Sequence, residues 1–289
     1  MGCQRRDQTR ARHPLAADAG RRTPDADAGR DEAPQRALGP RHTLLDVAIP
    51  RPDTDIERIL VVAAHPDDAD FGAAGTLTQW VRAGIEVTLL CVTHGEQGAR
   101  PDADIAAIPA LREREQQAAS AELGVTDVRW LTGIRDGWVT PDQDLVREIV
   151  RVIRDVRPQR VLCQSPERNY DRIQASHPDH LAAGEATVRA CYPAAENPFA
   201  WPELHTDDGL ASWHVGEIWL MAHPTPDHVV DITDVFDRKV AALHAHRSQT
   251  GHRGEELAIF LRQMGELMGQ RMGLPEGHVA EAFKVITLN

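Results

Sequence analysis

From residue 58 onward, short apolar runs alternate with longer segments of helical periodicity. The runs at 59–64 and 87–92 are apolar at nearly every position, as expected of strands buried on both faces. Gly84, Gly124 and Pro158 follow three helical segments at positions where helices end. The pattern predicts strands at 58–64, 86–93, 128–131, 160–164, 215–221 and 229–232, and helices at 70–83, 110–123, 142–157, 233–246 and 254–269. This alternation predicts a single α/β domain with a mostly parallel sheet covered by helices on both faces.

The first 50 residues differ from the rest of the chain. They are rich in Arg, Asp, Ala and Pro and contain no aromatic residue. Such a segment buries too little apolar surface to offset the entropy cost of ordering. We therefore expect residues 1–50 to be a disordered or loosely attached arm, and residues 51–289 to form the domain.

Composition narrows the classes of partner and the compartment. The formal net charge is -12, whereas proteins that bind nucleic acids normally present a basic face. No apolar run reaches the roughly 18 residues that span a bilayer. The four cysteines form no C-x-x-C pair, which favours thiols in a reducing compartment. We expect a cytoplasmic protein with no membrane span and no nucleic-acid partner.

Two short motifs carry the candidate chemistry: His65-Pro66-Asp67-Asp68 and His177-Pro178-Asp179-His180. Each follows a predicted strand, and its proline suits the first turn of a helix. The loops that leave parallel strands converge at one edge of a sheet. We expect the two motifs to meet there.

A catalytic zinc site takes about three N or O ligands from the protein and leaves one position for water. His65 and Asp68 offer two ligands from one loop, and His180 offers a third from the other. The alternative is that these residues only cap helices. Two copies of the motif, each after a strand, favour the metal site.

The remaining polar residues of the motifs could take different catalytic and supporting roles around such a metal. If Asp68 binds the metal, Asp67 can take a proton from the bound water, although the reverse assignment of the two aspartates is open. His177 can stabilise a developing oxyanion and protonate a leaving amine. Asp179 is either a carboxylate that orients a histidine or an acid that favours a helix start.

Residues 64–76 and 176–180 resemble the PIG-L or LmbE-like family of zinc-dependent N-deacetylases. That family includes N-acetylglucosaminyl-phosphatidylinositol deacetylases and the deacetylases and amidases of mycothiol and bacillithiol metabolism. The resemblance implies a Rossmann-like fold, zinc at His65, Asp68 and His180, Asp67 as general base and His177 as acid or oxyanion stabiliser. It also implies that Arg112 and Asp136 contact sugar hydroxyls.

The resemblance predicts a hydrolase that removes an N-acetyl group from an N-acetylglucosamine-type conjugate, with zinc-bound water as nucleophile. Fe²⁺ is the alternative metal. An amidase acting on thiol-sugar conjugates and a non-catalytic sugar-binding or metal-binding protein are the alternative functions. Relatives include homo-oligomers, so self-association is also an expectation.

Other histidines are weaker candidates. His223 and His228 lie in a segment that mimics the ligand motifs with different spacing and leads into a strand. His244 and His246 fall on a predicted helix, where the interpretation is a solvent-facing or structural role.

Overall fold

The computed structural model describes residues 50–98 and 103–288, which belong to one compact unit. The predicted arm at residues 1–50 lies outside the described residues except for Pro50. The strands are β1 (Arg58–Ala63), β2 (Glu86–Cys91), β3 (Asp127–Trp130), β4 (Arg160–Gln164), β5 (Glu217–Met221), β6 (His228–Asp231) and β7 (Ala280–Thr287). The helices are α1 (Asp68–Arg82), α2 (Ile108–Leu123), α3 (Gln143–Val156), α4 (Pro178–Arg189), α5 (Glu203–Thr206), α6 (Phe236–Ala245), α7 (Arg247–Thr250) and α8 (Glu256–Arg271).

The seven strands form one sheet in the order β3-β2-β1-β4-β5-β7-β6. The first five strands are mutually parallel, and β7 pairs antiparallel with both β5 and β6. Helices cover both faces: α3 and α4 pack on one core, and α1, α2 and α6 on the other. The predicted α/β fold with a mostly parallel, helix-covered sheet is confirmed.

Among the strands, the difference from the prediction is β7. Residues 280–287 follow the last predicted helix and form the longest strand, between two strands that precede them in the chain. Its buried and half-buried positions alternate only in part. The sequence pattern therefore gave this strand a weaker signal than the all-apolar β1 and β2.

The fold places the two motifs side by side. β1 and β4 are neighbours at the centre of the sheet, and the chain leaves them toward opposite ends of the strand order. This is the switch point at which open α/β sheets form their sites, beyond the carboxyl ends of the strands. The first motif links β1 to α1, and the second begins α4, which follows β4.

None of the described helices is both long enough and apolar enough to cross a membrane. Cys91, Cys163 and Cys191 are buried and unpaired. The cysteines described by the structure are thus free thiols, as the sequence predicted.

A buried arginine links the amino-terminal ends of β4 and β5. The Arg160 side chain is fully buried and forms an ion pair with Glu217, whose side chain is also fully buried. Its guanidinium lies 5.0 Å from the ring centre of Trp80 and 4.4 Å from that of Trp219. It also contacts Asp53 Oδ1 at 2.7 Å. These contacts link β4, β5 and the segment that enters β1.

We expect Arg160→Met to lower the free energy of unfolding by about 3–5 kcal/mol, because it leaves the Glu217 carboxylate buried without its cation. The matched control is Arg151→Met, since Arg151 pairs with Glu148 and Asp208 at the surface. That change should cost at most about 1 kcal/mol. Urea denaturation of both variants measures the difference, and equal midpoints would contradict a stabilising role for the buried pair.

Candidate metal centre

The first motif turns sharply between β1 and α1. His65 N donates to Asp68 Oδ2 at 2.7 Å, which closes the turn. Asp67 adopts a φ of +83°, in the left-handed region that non-glycine residues rarely occupy. The turn directs the side chains of His65 and Asp68 toward the second motif.

The three predicted metal ligands lie together at this edge. His65 Nδ1 is 3.3 Å from Asp68 Oδ2, and His180 Nε2 is 3.0 Å from Asp68 Oδ1. His177 joins the same group, since one ring nitrogen from each of His65, His177 and His180 lies within 4.8 Å of the others. Gln164, the last residue of β4, donates to Asp68 Oδ2 at 2.7 Å and fixes that carboxylate.

The other nitrogen of His65 faces two carboxylates. His65 Nε2 is 3.1 Å from Asp136 Oδ1 and 3.2 Å from Asp179 Oδ2. Asp179 also accepts from the amides of Gly137 at 2.6 Å and Val139 at 3.2 Å. A histidine that binds a metal through one nitrogen commonly donates to a carboxylate through the other.

A second set of donors, formed by His65, Asp136 and Asp179, could also hold a cation. Both oxygens of Asp179 already accept backbone amides, and Asp136 Oδ2 accepts from Gln97 N at 2.8 Å. Only one nitrogen is available in that set. The His65, Asp68 and His180 set has two nitrogens and one oxygen, the donor set that suits zinc.

The electrostatics are those of a cation site. Burial disfavours the charged imidazolium of His65, yet hydrogen bonds with Asp136, Asp179 and Asp68 outweigh it and raise its pKa to about 12. Burial raises the pKa of Asp68, but the charges and hydrogen bonds of His180 and His65 outweigh it and hold that pKa well below its usual range. A group of carboxylates that retains a proton on His65 this strongly is chemically suited to a divalent metal.

Asp67 is set apart from Asp68 by its partners. Its Oδ2 accepts from Arg112 Nη2 at 3.0 Å, and Arg112 also donates to the carbonyls of Pro66 and Gly95. Burial raises the pKa of Asp67 to about 7, against the opposing charge of Arg112. A carboxyl group with such a pKa can both accept and release a proton near neutral pH.

His177 is the most exposed of the three histidines. Its ring centre lies 5.1 Å from that of His65 and 5.5 Å from that of His180. Burial and the two neighbouring histidines lower its pKa, although Asp179 opposes them. His177 Nδ1 accepts from the amide of Asp179 at 3.2 Å, so the neutral ring carries its proton on Nε2.

Arg112 and Asp136, predicted to contact sugar hydroxyls, are 3% and 5% exposed. Arg112 touches Asp67, and Asp136 touches His65 and Gln97, so both support residues of the site. Contact with a sugar stays a prediction for both. His223 instead pairs with Glu167, and His228 packs on Trp219.

Three further residues near Asp67 are not among the predicted site residues. Gln116, Asp70 and His246 are each at most 1% exposed and form a chain of hydrogen bonds that reaches Asp67 N. The sequence predicts a solvent-facing or structural role for His244 and His246; in the structure His244 is exposed and His246 is buried. No local periodicity in the sequence identifies Gln116, Asp70 and His246, since each is a single polar side chain on or beside a helix.

The chain resembles known proteins over most of the described region. Residues 60–191 match the family model PIG-L, described as GlcNAc-PI de-N-acetylase. A probable N-acetyl-alpha-D-glucosaminyl L-malate deacetylase 2 of Bacillus cereus is 36% identical over 66% of this chain and 83% of its own length. Diacetylchitobiose deacetylase of Thermococcus kodakarensis is 33% identical over 71% of this chain and 74% of its own.

A solved structure shares the fold. N,N'-diacetylchitobiose deacetylase from Pyrococcus horikoshii superimposes with a TM-score of 0.74 at 27% identity, over 82% of this chain and 86% of that one. The motifs quoted above fall within the matched residues 60–191. The chain belongs to the PIG-L family of GlcNAc-PI de-N-acetylase-like proteins.

Proposed function

We propose that this protein is a metal-dependent hydrolase that removes the N-acetyl group from an N-acetylglucosamine-type conjugate. The observation that carries the proposal is the convergence of His65, Asp68 and His180 beside the half-buried Asp67. A protein that only bound a sugar or a metal would need neither a carboxylate whose pKa is raised to about 7 nor an exposed histidine.

His65, Asp68 and His180 would hold the metal, with zinc as the first candidate and Fe²⁺ as the alternative. When bound, the metal supplies Lewis acidity, which activates water and polarises the amide carbonyl. Asp136 and Asp179 keep His65 oriented, because both contact its Nε2 and leave Nδ1 facing Asp68.

Asp67 is proposed as the general base. Arg112 holds its carboxylate, and its raised pKa matches a proton transfer near neutral pH. The proton that Asp67 takes from the attacking water is the one that the departing nitrogen needs. One water and one acetamide then give acetate and a free amine.

His177 is proposed to stabilise the oxyanion that develops on the amide oxygen. Its Nδ1 is occupied by the Asp179 amide, which leaves Nε2–H as the donor. Its lowered pKa supports a neutral donor over the alternative role as a proton source for the amine.

The substrate class comes from the relatives. The two named above are deacetylases of N-acetylglucosaminyl malate and of diacetylchitobiose, and both compounds contain an N-acetylglucosamine unit. We propose the same unit as the group that this protein deacetylates, with Arg112 and Asp136 as candidate contacts to its hydroxyls.

The test is amine release from N-acetylglucosamine conjugates with malate, with a second amino sugar and with inositol, assayed beside one thiol-sugar amide. We expect turnover on at least one N-acetyl conjugate, loss of turnover after chelation, and recovery with Zn²⁺ or Fe²⁺. Turnover confined to the thiol-sugar amide would favour the amidase alternative. Metal binding without turnover on any compound would favour a non-catalytic protein.

A further inference from the structure

A buried chain of polar contacts leads from the backbone of Asp67 into the interior of the protein. Asp67 N donates to Gln116 Oε1 at 2.8 Å, and Gln116 Nε2 donates to Asp70 Oδ2 at 2.9 Å. His246 Nε2 lies 2.9 Å from the same Asp70 oxygen. Gln116 and Asp70 are 1% exposed, and His246 is fully buried.

This series of hydrogen bonds joins three separate parts of the fold. Asp67 and Asp70 belong to the start of α1, Gln116 lies in α2, and His246 lies between α6 and α7. The same elements already pack through apolar side chains, including Ala73, Ala119 and Ala242. Burying polar and charged groups among them costs free energy, so their presence calls for a purpose beyond packing.

The backbone of Asp67 is strained. Its φ of +83° is unfavourable for a residue with a side chain, and such a conformation persists only where the surroundings enforce it. Arg112 and Gln116 are one helical turn apart on α2. Arg112 binds the carboxylate of Asp67 and Gln116 binds its backbone amide, so one face of α2 holds both ends of the residue.

Asp70 and His246 fix which way the Gln116 amide points. Asp70 Oδ2 accepts from Gln116 Nε2, so the amide of Gln116 turns its NH₂ toward Asp70 and its carbonyl oxygen toward Asp67 N. His246 in turn holds the carboxylate of Asp70 in place through Nε2. Removing His246 would free Asp70 and, through it, the orientation of Gln116.

We propose that Gln116, Asp70 and His246 are positioning residues that hold Asp67 in its strained conformation, facing the metal centre. The proposal rests on the proposed function, in which Asp67 is the base. It assigns an effect on the chemical step to His246, whose side chain hydrogen-bonds to Asp70 and, within the described residues, to neither Asp67 nor the proposed metal ligands.

The test compares Gln116→Met and His246→Leu with His246→Gln, whose amide can still donate to Asp70. The matched control is Ser248→Ala. Ser248 also ties α7 to α2, through Glu115 Oε2 at 2.6 Å, but this bond does not lead to Asp67. Each variant is assayed for kcat, KM, metal content and deuterium uptake in peptides that cover residues 64–71.

We expect Gln116→Met and His246→Leu to lower kcat by about 10- to 100-fold while KM changes by less than about threefold, since misplacing a catalytic group costs mainly the chemical step. Metal content should stay at that of the wild type. Deuterium uptake at residues 64–71 should accelerate in both variants. His246→Gln should regain most of the lost kcat, and Ser248→Ala should retain about the wild-type value.

An equal loss of kcat in Ser248→Ala and His246→Leu would show that the effect comes from disturbed packing around α7. That result would overturn the proposal. Unchanged deuterium uptake at residues 64–71 in His246→Leu would overturn it as well, whether or not the protein shows turnover. A wild-type protein without activity on any conjugate would contradict the proposed function, and the exchange measurement would still decide the positioning role.

Discussion

Asp68→Asn is expected to empty the metal centre. Asp68 is the residue that contacts both His65 and His180, and the amide removes its charge with little change of shape. Loss of a partner one step removed from a metal typically lowers affinity 10- to 100-fold, so loss of a direct ligand should cost at least about 100-fold. Metal analysis after dialysis should find about one divalent ion per wild-type chain and almost none in the variant.

His177→Ala separates two possible ligand sets. The nitrogens of His65, His177 and His180 lie close enough to share an ion, but the proposed set uses Asp68 in place of His177. His177→Ala should therefore keep its metal and lose turnover.

The matched control for Asp68→Asn is Asp144→Asn, which removes a carboxylate at an exposed position in α3. Full metal content in Asp68→Asn would refute the proposed ligands.

Asp67→Asn is expected to abolish most turnover while leaving the metal bound. A positioned general base contributes about 10²- to 10⁴-fold to rate, and asparagine cannot take the proton. The amide still fits beside Arg112, so the site should keep its shape. Amine release and metal content, measured on the same preparation, test both halves of the prediction.

A retained rate within about tenfold of the wild type would exclude Asp67 as the general base. The reverse assignment, in which Asp68 takes the proton and Asp67 binds the metal, makes the opposite prediction. Asp67→Asn would then lose the metal, and Asp68→Asn would keep it. The contact between Arg112 and Asp67 argues against that reversal, because it already occupies a carboxylate oxygen of Asp67 with a cation.

Much of the fold could be predicted because its central strands carry a strong local signal. β1 and β4 match their predicted bounds to within one residue, since each contains an apolar run that is buried on both faces of the sheet. β7 escaped prediction because its position depends on pairing with β5 and β6, which are distant in sequence. Local periodicity carries no information about such pairing.

The candidate site also contains residues that could be predicted from the sequence and residues that could not. His65, Asp68 and His180 could be predicted because two short motifs each follow a strand, and parallel strands bring their ends together. Gln116 and His246 could not, because their contacts with Asp67 and Asp70 arise from the packing of α2 and of the segment between α6 and α7 against α1. A single glutamine or histidine on a helix resembles many others without a role.

The placement of β7 also sets the order in which the molecule can be completed. Until residues 280–287 leave the ribosome, β5 and β6 have no strand between them, so the complete sheet cannot form. The same strand carries Glu281, which accepts hydrogen bonds from Gly75 N at 3.1 Å and Thr76 N at 2.8 Å and pairs with the buried Lys239. Helix α1, which begins at the metal centre, thus gains its final anchor from a late part of the chain. During synthesis, both ligand motifs would therefore be present well before the strand that anchors α1.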